Sequence, residues 1–358
     1  MPSRSVARRP DGSWRARYRD ANDQEHARHF RRKTDALDWL DAVTTSVVTG
    51  TYVDPKQAKM TVGAWCDVWL DGYGTRRRST VRQAKVHIKV IKERFGSTRL
   101  SAVKPSDVKS WTVMLSERYA PSTVYAIYRR LAQILGDAVH DGLIPRNPCS
   151  RRTSPGQAKQ RPYVATTEQV WALHDAMPEH LRPAVLLGAF VGLRVAETAA
   201  LRVTDVDFMR GIVRPAIQYP HEPLKTDMSR TPVPIPRELA LELSSSVQRY
   251  TGTTVVTDAG GKPATPWQIE RAIRVHRGDV EGLSEKFRFH DLRHYFASLL
   301  IASGLDVKVV QTRLRHGSAT TTLNTYGHMW PDADESARAA IAAAMGARAD
   351  FLRTSGSP

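Results

Sequence analysis

Residues 146–161 are rich in Pro, Ser and Arg and nearly empty of hydrophobic side chains, so no core can be built across them. The chain must place its hydrophobic mass in separate bodies on either side. At 358 residues it has enough for two or three. Ahead of that stretch, residues 75–160 carry 18 Lys or Arg against 5 Asp or Glu, on a pattern that reads as helices throughout. A solvated surface mixes both signs, so this segregation predicts a module that faces a polyanion. The whole chain follows the same bias, with a formal charge of +17. Nucleic acid is the leading partner class and an acidic membrane surface the weaker one.

The first fifty-odd residues read differently. Trp14, Ala16 and Tyr18 alternate with Arg15 and Arg17, a period-two strand with a basic face. Pro10-Asp11-Gly12 precedes it, and Asp20 to Asp23 separates it from a second extended run, Glu25 to Phe30. Thr34 fits a helix N-cap, followed by Trp39, Leu40, Val43 and Val47 at helical spacing up to Gly50. A linker is expected around residues 54–60. Beyond it Trp65, Val68 and Trp69 are placed on one helix face, a helix begins at Ser79, and Pro105 and Pro121 each open another. After residue 161, Thr166 and Gln169 form a capping box, and helices alternate with a short β region over residues 212–235. Pro215, Pro220 and Pro223 are expected to keep its strands short.

No apolar run reaches bilayer-spanning length, and the Met1-Pro2-Ser3-Arg4 start lacks the apolar core of a signal peptide. Cys66 and Cys149 stand far apart without a CxxC pattern, which disfavours a disulfide scaffold or a cysteine zinc site. A reduced, cytoplasmic protein is the expectation.

Four segments of the C-terminal half carry chemistry: Gly192-Leu193-Arg194 with Glu197, Lys225-Thr226 with Ser229-Arg230, His290-Asp291-Leu292-Arg293-His294, and Arg315-His316-Gly317 followed by Tyr326. In that order they resemble the tyrosine recombinase family, the phage-integrase type of DNA strand-transfer enzyme. The match covers residues 161–330 and extends more loosely to the two smaller modules in front. The residue chemistry agrees. Metal-free phosphodiester cleavage needs a nucleophile, cations for the phosphate oxygens and an acid for the leaving sugar oxygen. Arg194 and Arg293 offer guanidinium forks that match phosphate and stay charged. His290, one helical turn before Arg293, is placed to shuttle a proton, and His316 to add a hydrogen bond to the phosphate. Tyr326 is the nucleophile, and the resemblance implies a 3′-phosphotyrosyl link with release of a 5′ hydroxyl. Lys225, in a segment that resembles the family's β-hairpin lysine, is the candidate general acid, with Arg230 nearby as the rival phosphate contact. Arg315 stands where the family commonly has Gly.

The resemblance implies a multidomain, mainly α protein with small β elements. Residues 1–55 form an arm-type DNA-binding module, a three-stranded sheet plus helix. Residues 60–150 form an all-α core-binding module, and residues 161–348 a mixed α+β catalytic domain. It implies site-specific integration, and excision, of a phage or mobile element, by a homotetramer on double-stranded DNA. Excision directionality and host DNA-bending proteins are the accessory partners, and no metal, ATP or nucleotide cofactor is implied. Three other readings stand beside it. One is a type IB topoisomerase-like enzyme that rejoins the same strand, and another a non-catalytic DNA-binding regulator. In the third, His290 and His294 form a shortened zincin motif, with Asp291 a short substitute for the usual Glu.

Overall fold

A computed structural model describes residues 4–19, 24–48, 59–157, 162–224 and 226–330. It divides into two compact units, at residues 1–159 and 160–358.

The first unit opens with β1 (Arg4–Arg8), β2 (Trp14–Arg19) and β3 (Glu25–Phe30), an antiparallel sheet in the order β1-β2-β3. The alternation in β2 does what its period predicts. Ala16 and Tyr18 are buried under α1 (Lys33–Val48) with Ala36 and Leu40, while Arg15 and Arg17 stand on the other face. Pairing puts His29 beside Arg15 on that open face, and Glu25 bridges to both arginines. Helix α1 begins two residues earlier than the capping pattern suggests, so Thr34 lies inside the first turn rather than at its cap. Gly50 and the expected linker up to residue 58 lie outside the described residues.

The helical module has its own core. It contains α2 (Val62–Tyr73), α3 (Arg78–Phe95), α4 (Pro105–Arg118) and α5 (Pro121–His140), the last two with proline at the first helical position. Trp65 and Trp69 are buried, and each indole N–H finds an acceptor on α5: Ile134 O at 2.9 Å and Asp137 Oδ2 at 2.6 Å. Val68 does not share their face and is 55 % exposed. At 100° per residue it sits about 60° from Trp65 and about 100° from Trp69, on the side away from Val62 and Cys66, which complete the inward stripe. The start of the Pro/Ser/Arg stretch is tied down rather than loose. Tyr128 on α5 donates to Ser150 O at 2.7 Å, and buried Thr153 packs beside it.

The second unit centres on α7 (Arg182–Phe190), wrapped by α6 (Thr167–Ala176), α8 (Val195–Ala200), α9 (Arg237–Arg249), α10 (Pro266–His276) and α11 (Phe289–Ala302). The Thr166–Gln169 capping box opens α6. Between α8 and α9 run five two-residue strands: β4 (Val206–Asp207), β5 (Ile212–Val213), β6 (Ile217–Gln218), β7 (Glu222–Pro223) and β8 (Val233–Pro234). They pair as a β4-β5-β8 sheet and a β6-β7 hairpin, as short as the prolines predict. Helix α11 serves two cores. Phe289, Leu292 and Tyr295 face the main one, while Phe296, Ala297 and Ile301 join a second with Val310 of α12 (Val307–Arg313) and Tyr326 of α13 (Ala319–Tyr326).

Leu131, fully buried in the helical module, tests this packing. Leu131→Ala is expected to destabilise the first unit by about 2–5 kcal/mol. The loss should appear as a lower urea midpoint in the fluorescence of its tryptophans; an unchanged midpoint would contradict the core placement.

Candidate active site

The site is assembled where α7 ends. Gly192 follows α7 with φ +69, the left-handed conformation that closes a helix and that glycine adopts without strain. A Cβ there would meet Phe296 Cδ1 at 2.4 Å, so glycine is also the residue that lets α11 approach. Two residues on, Arg194 caps α8. Its backbone N–H donates to Glu197 Oε2 at 3.0 Å and its guanidinium to Glu197 Oε1 at 2.8 Å.

Glu197 is 2 % exposed and serves a second cation. Arg315 Nη2 donates to Glu197 Oε2 at 2.6 Å, and its Nη1 to Ser229 O at 3.1 Å. Burial alone would raise the Glu197 carboxyl, but Arg315 and Arg194 outweigh it and hold its pKa below the usual carboxylate value. Arg315 has φ +53, so the glycine-like backbone of this position is kept while the side chain fills the space beneath. It is fully buried against Glu197.

Arg293, on α11, is 1 % exposed. Its guanidinium donates to the carbonyls of Gly192 and Leu314. One side chain thus ties together the segments carrying Arg194, His290 and His316. Burial, with the charges of Arg194 and Arg315, depresses its pKa to about 9, which leaves it charged at neutrality.

The histidines sit among these cations. The His290 and His294 rings meet edge to face, 4.8 Å between centroids. His316 Nδ1 pairs with the Thr322 hydroxyl at 2.9 Å. Desolvation, then Arg293 and Arg194, pushes His316 down to about 3; desolvation, then His290 and Arg293, takes His294 to about 4. His290 is lowered by the same desolvation and arginines. Tyr326 is 1 % exposed, its hydroxyl 2.7 Å from His294 Nδ1, and burial raises its pKa to about 12.

A cleft of about 520 Å³ opens beside this cluster, lined by Arg194, Glu197, Thr226, Ser229, His290 and Arg315. Five of the six expected residues therefore gather in one region. Arg194 and His290 reach the cleft, and Arg293 and Tyr326 lie buried behind it. Lys225 lies outside the described residues, although Thr226 beside it lines the cleft. Arg230 is exposed and faces Asp227 at 3.9 Å. The two zincin-spaced histidines are otherwise engaged, His294 with Tyr326. No group of three or more metal-ligating side chains occurs among the described residues.

Comparison with known proteins gives this geometry its context. The model of the phage integrase family matches residues 164–331. The putative prophage phiRv2 integrase of Mycobacterium tuberculosis is 25 % identical, the match covering 88 % of this chain and 89 % of the relative. Tyrosine recombinase XerC of Halalkalibacterium halodurans is 30 % identical over 69 % of this chain and 84 % of its own length. The chain belongs to the phage integrase family of tyrosine recombinases. In fold the recombinase is similar to a Tn1549 transposon integrase solved with circular intermediate DNA, at TM-score 0.69 and 20 % identity, covering 79 % of this chain and 98 % of that one. It is also similar to a lambda integrase dimer bound to a core site, at 0.63 and 17 %, covering 91 % and 96 %.

Two participants were hidden from sequence reasoning. Arg315 read as a departure at a glycine position, and nothing local pointed to Glu197, 118 residues away. His294 read as half of a metal pair. Its i+4 spacing from His290 was visible, but its partner Tyr326 belongs to another helix.

The Glu197–Arg315 pair should behave as a buried unit. Glu197→Gln is expected to cost about 3–5 kcal/mol by stranding a buried guanidinium, and adding Arg315→Met to recover most of it. Thermal unfolding of the single and double variants checks this, and additive losses would contradict it. The histidines give a pH dependence of defined sign. Their folded pKa values are depressed, so their stabilisation is complete above the unfolded value of about 6.5. It is lost as pH falls through about 4 for His294 and about 3 for His316. Urea midpoints across that range should fall less steeply in His316→Asn than in the native chain.

Proposed function

We propose that this recombinase integrates, and excises, a phage or mobile element by cleaving and rejoining DNA through a 3′-phosphotyrosyl intermediate at Tyr326. The observation that carries the reading is the Arg293 guanidinium, which joins three catalytic segments behind a cleft that Arg194 and His290 line. Arg194 supplies a fork for one phosphate oxygen, held in orientation by Glu197. Arg293 contributes the second positive charge, and His290 and His316 donate to the phosphate as negative charge builds. Lys225 protonates the leaving 5′ oxygen; its neighbour Thr226 on the cleft wall supports that assignment. Tyr326 is buried in the free chain, so DNA binding must open the cleft to its hydroxyl before attack.

The modules divide the work. The basic face of the N-terminal sheet, Arg15 and Arg17 with His29, binds arm sites. The helical module grips the core site. Its cations include the half-buried Arg130, 5.0 Å over the Tyr73 ring, and the module is where most of the chain's excess charge resides. The working form is a homotetramer in the cytoplasm on paired core sites, assisted by a directionality factor and a host DNA-bending protein. The likeness to lambda integrase, one of whose structures is a tetramer on a Holliday junction, supports the tetramer. Among the described residues no helix is long and apolar enough to cross a membrane.

Covalent capture from a randomised duplex library supplies the core site and tests the reading. The native chain is expected to trap duplexes of one sequence class. Tyr326→Phe should bind them without forming an adduct, and Arg194→Ala should slow adduct formation by about 10²–10³-fold. An adduct formed by Tyr326→Phe would refute the assignment. Relaxation of supercoils without exchange between two captured sites would favour the topoisomerase reading.

A further inference from the structure

The proton on Tyr326 has to leave as the phenol attacks, and the residues around it differ sharply in their access to it. His290 lines the cleft and touches the His294 ring, not the tyrosine. His316 has Nδ1 committed to Thr322. His294, on the adjacent helix α11, has Nδ1 2.7 Å from the tyrosine hydroxyl and its ring inclined at 66° to the phenol ring. We infer that His294 is the general base that receives the Tyr326 proton during strand cleavage, a role that rests on Tyr326 being the nucleophile.

The step balances within the site. The Tyr326 oxygen forms a bond to phosphorus as its proton passes to His294 Nδ1. The bond from phosphorus to the 5′ oxygen breaks, and that oxygen takes a proton from the separate acid proposed above, Lys225. Rejoining runs the transfers backwards, with the His294 imidazolium returning the proton to the phenol.

The surroundings suit this role. A phenol whose burial discourages ionisation does not lose its proton unaided at neutral pH. His294 is neutral in the free chain, so an unprotonated nitrogen is available to accept. The groups that bear on it are His290 and Arg293 from its own helix, Tyr326 from α13 and His316 from the segment between α12 and α13. A phosphodiester docked against Arg194 in the cleft, near the buried charge of Arg293, offsets the cationic field that weakens this base, so His294 gains basicity as substrate arrives. A neutral imidazole in contact with the hydroxyl also holds the nucleophile in reserve until then.

The test uses the full chain and a captured duplex nicked beside the scissile phosphate, so that each adduct is trapped. His294→Gln and His294→Asn keep a polar partner near the tyrosine but cannot take its proton. Both are expected to bind the duplex as the native chain does and to form adduct about 10²–10⁴-fold more slowly. A second duplex carries sulfur in place of the bridging 5′ oxygen, a leaving group that departs without a proton. The His294 defect should persist on it, because the missing function acts on the nucleophile. Adduct rates within threefold of native, or faster than native, would overturn the inference, and so would restoration by the sulfur duplex. Failure of the underlying reading looks different: the native chain would give no adduct, or Tyr326→Phe would give one.

Discussion

The site depends on one buried guanidinium. Arg293 reaches from α11 to the carbonyls of Gly192 and Leu314, and each of these belongs to a segment carrying another residue of the proposed site. Both carbonyls lie where a helix has just ended and intrahelical donors have run out. A charged donor there satisfies backbone acceptors that would otherwise be buried without partners. The same contact fixes the distance between α7 and α11, which Gly192 permits by having no Cβ. Loss of the arginine would remove a buried positive charge and also the tie that assembles the site.

Around that tie, the electrostatics follow from crowding cations near a desolvated cluster. Glu197 is the buried anion that keeps Arg194 and Arg315 together, and it stays ionised because two guanidinium groups outweigh its burial. The histidines respond in the opposite sense: burial first, and then the neighbouring positive groups, lower the pKa of all three. In the proposed mechanism an arriving phosphate offsets these cations and shifts the set towards the protonated form. Substrate binding and readiness for proton transfer are thereby linked.

Much of this was legible in the residues. Period-two alternation placed β2 with its buried face correctly, and Pro105 and Pro121 marked two helix starts because proline fits the first turn. The motif order located Arg194, His290, Arg293, His316 and Tyr326 in one region, and a helical spacing of three placed His290 and Arg293 on the same helix. Failures occurred where long-range packing decides. Val68 was assigned to the buried face with Trp65 and Trp69, but the inward stripe runs on their other side, through Val62 and Cys66. Thr34 was read as a cap although the chain had already turned. The partnerships of Arg315 with Glu197 and of His294 with Tyr326 join residues 118 and 32 positions apart, and no local pattern records such pairs. Lys225 remains an assignment by motif.

The identity of the bond between protein and DNA tests the account most directly. Trapped adduct, digested with protease and nuclease and read by mass spectrometry, should yield a single peptide carrying a nucleotide 3′-phosphate on Tyr326. A link to any other residue, or through a 5′ phosphate, would contradict it.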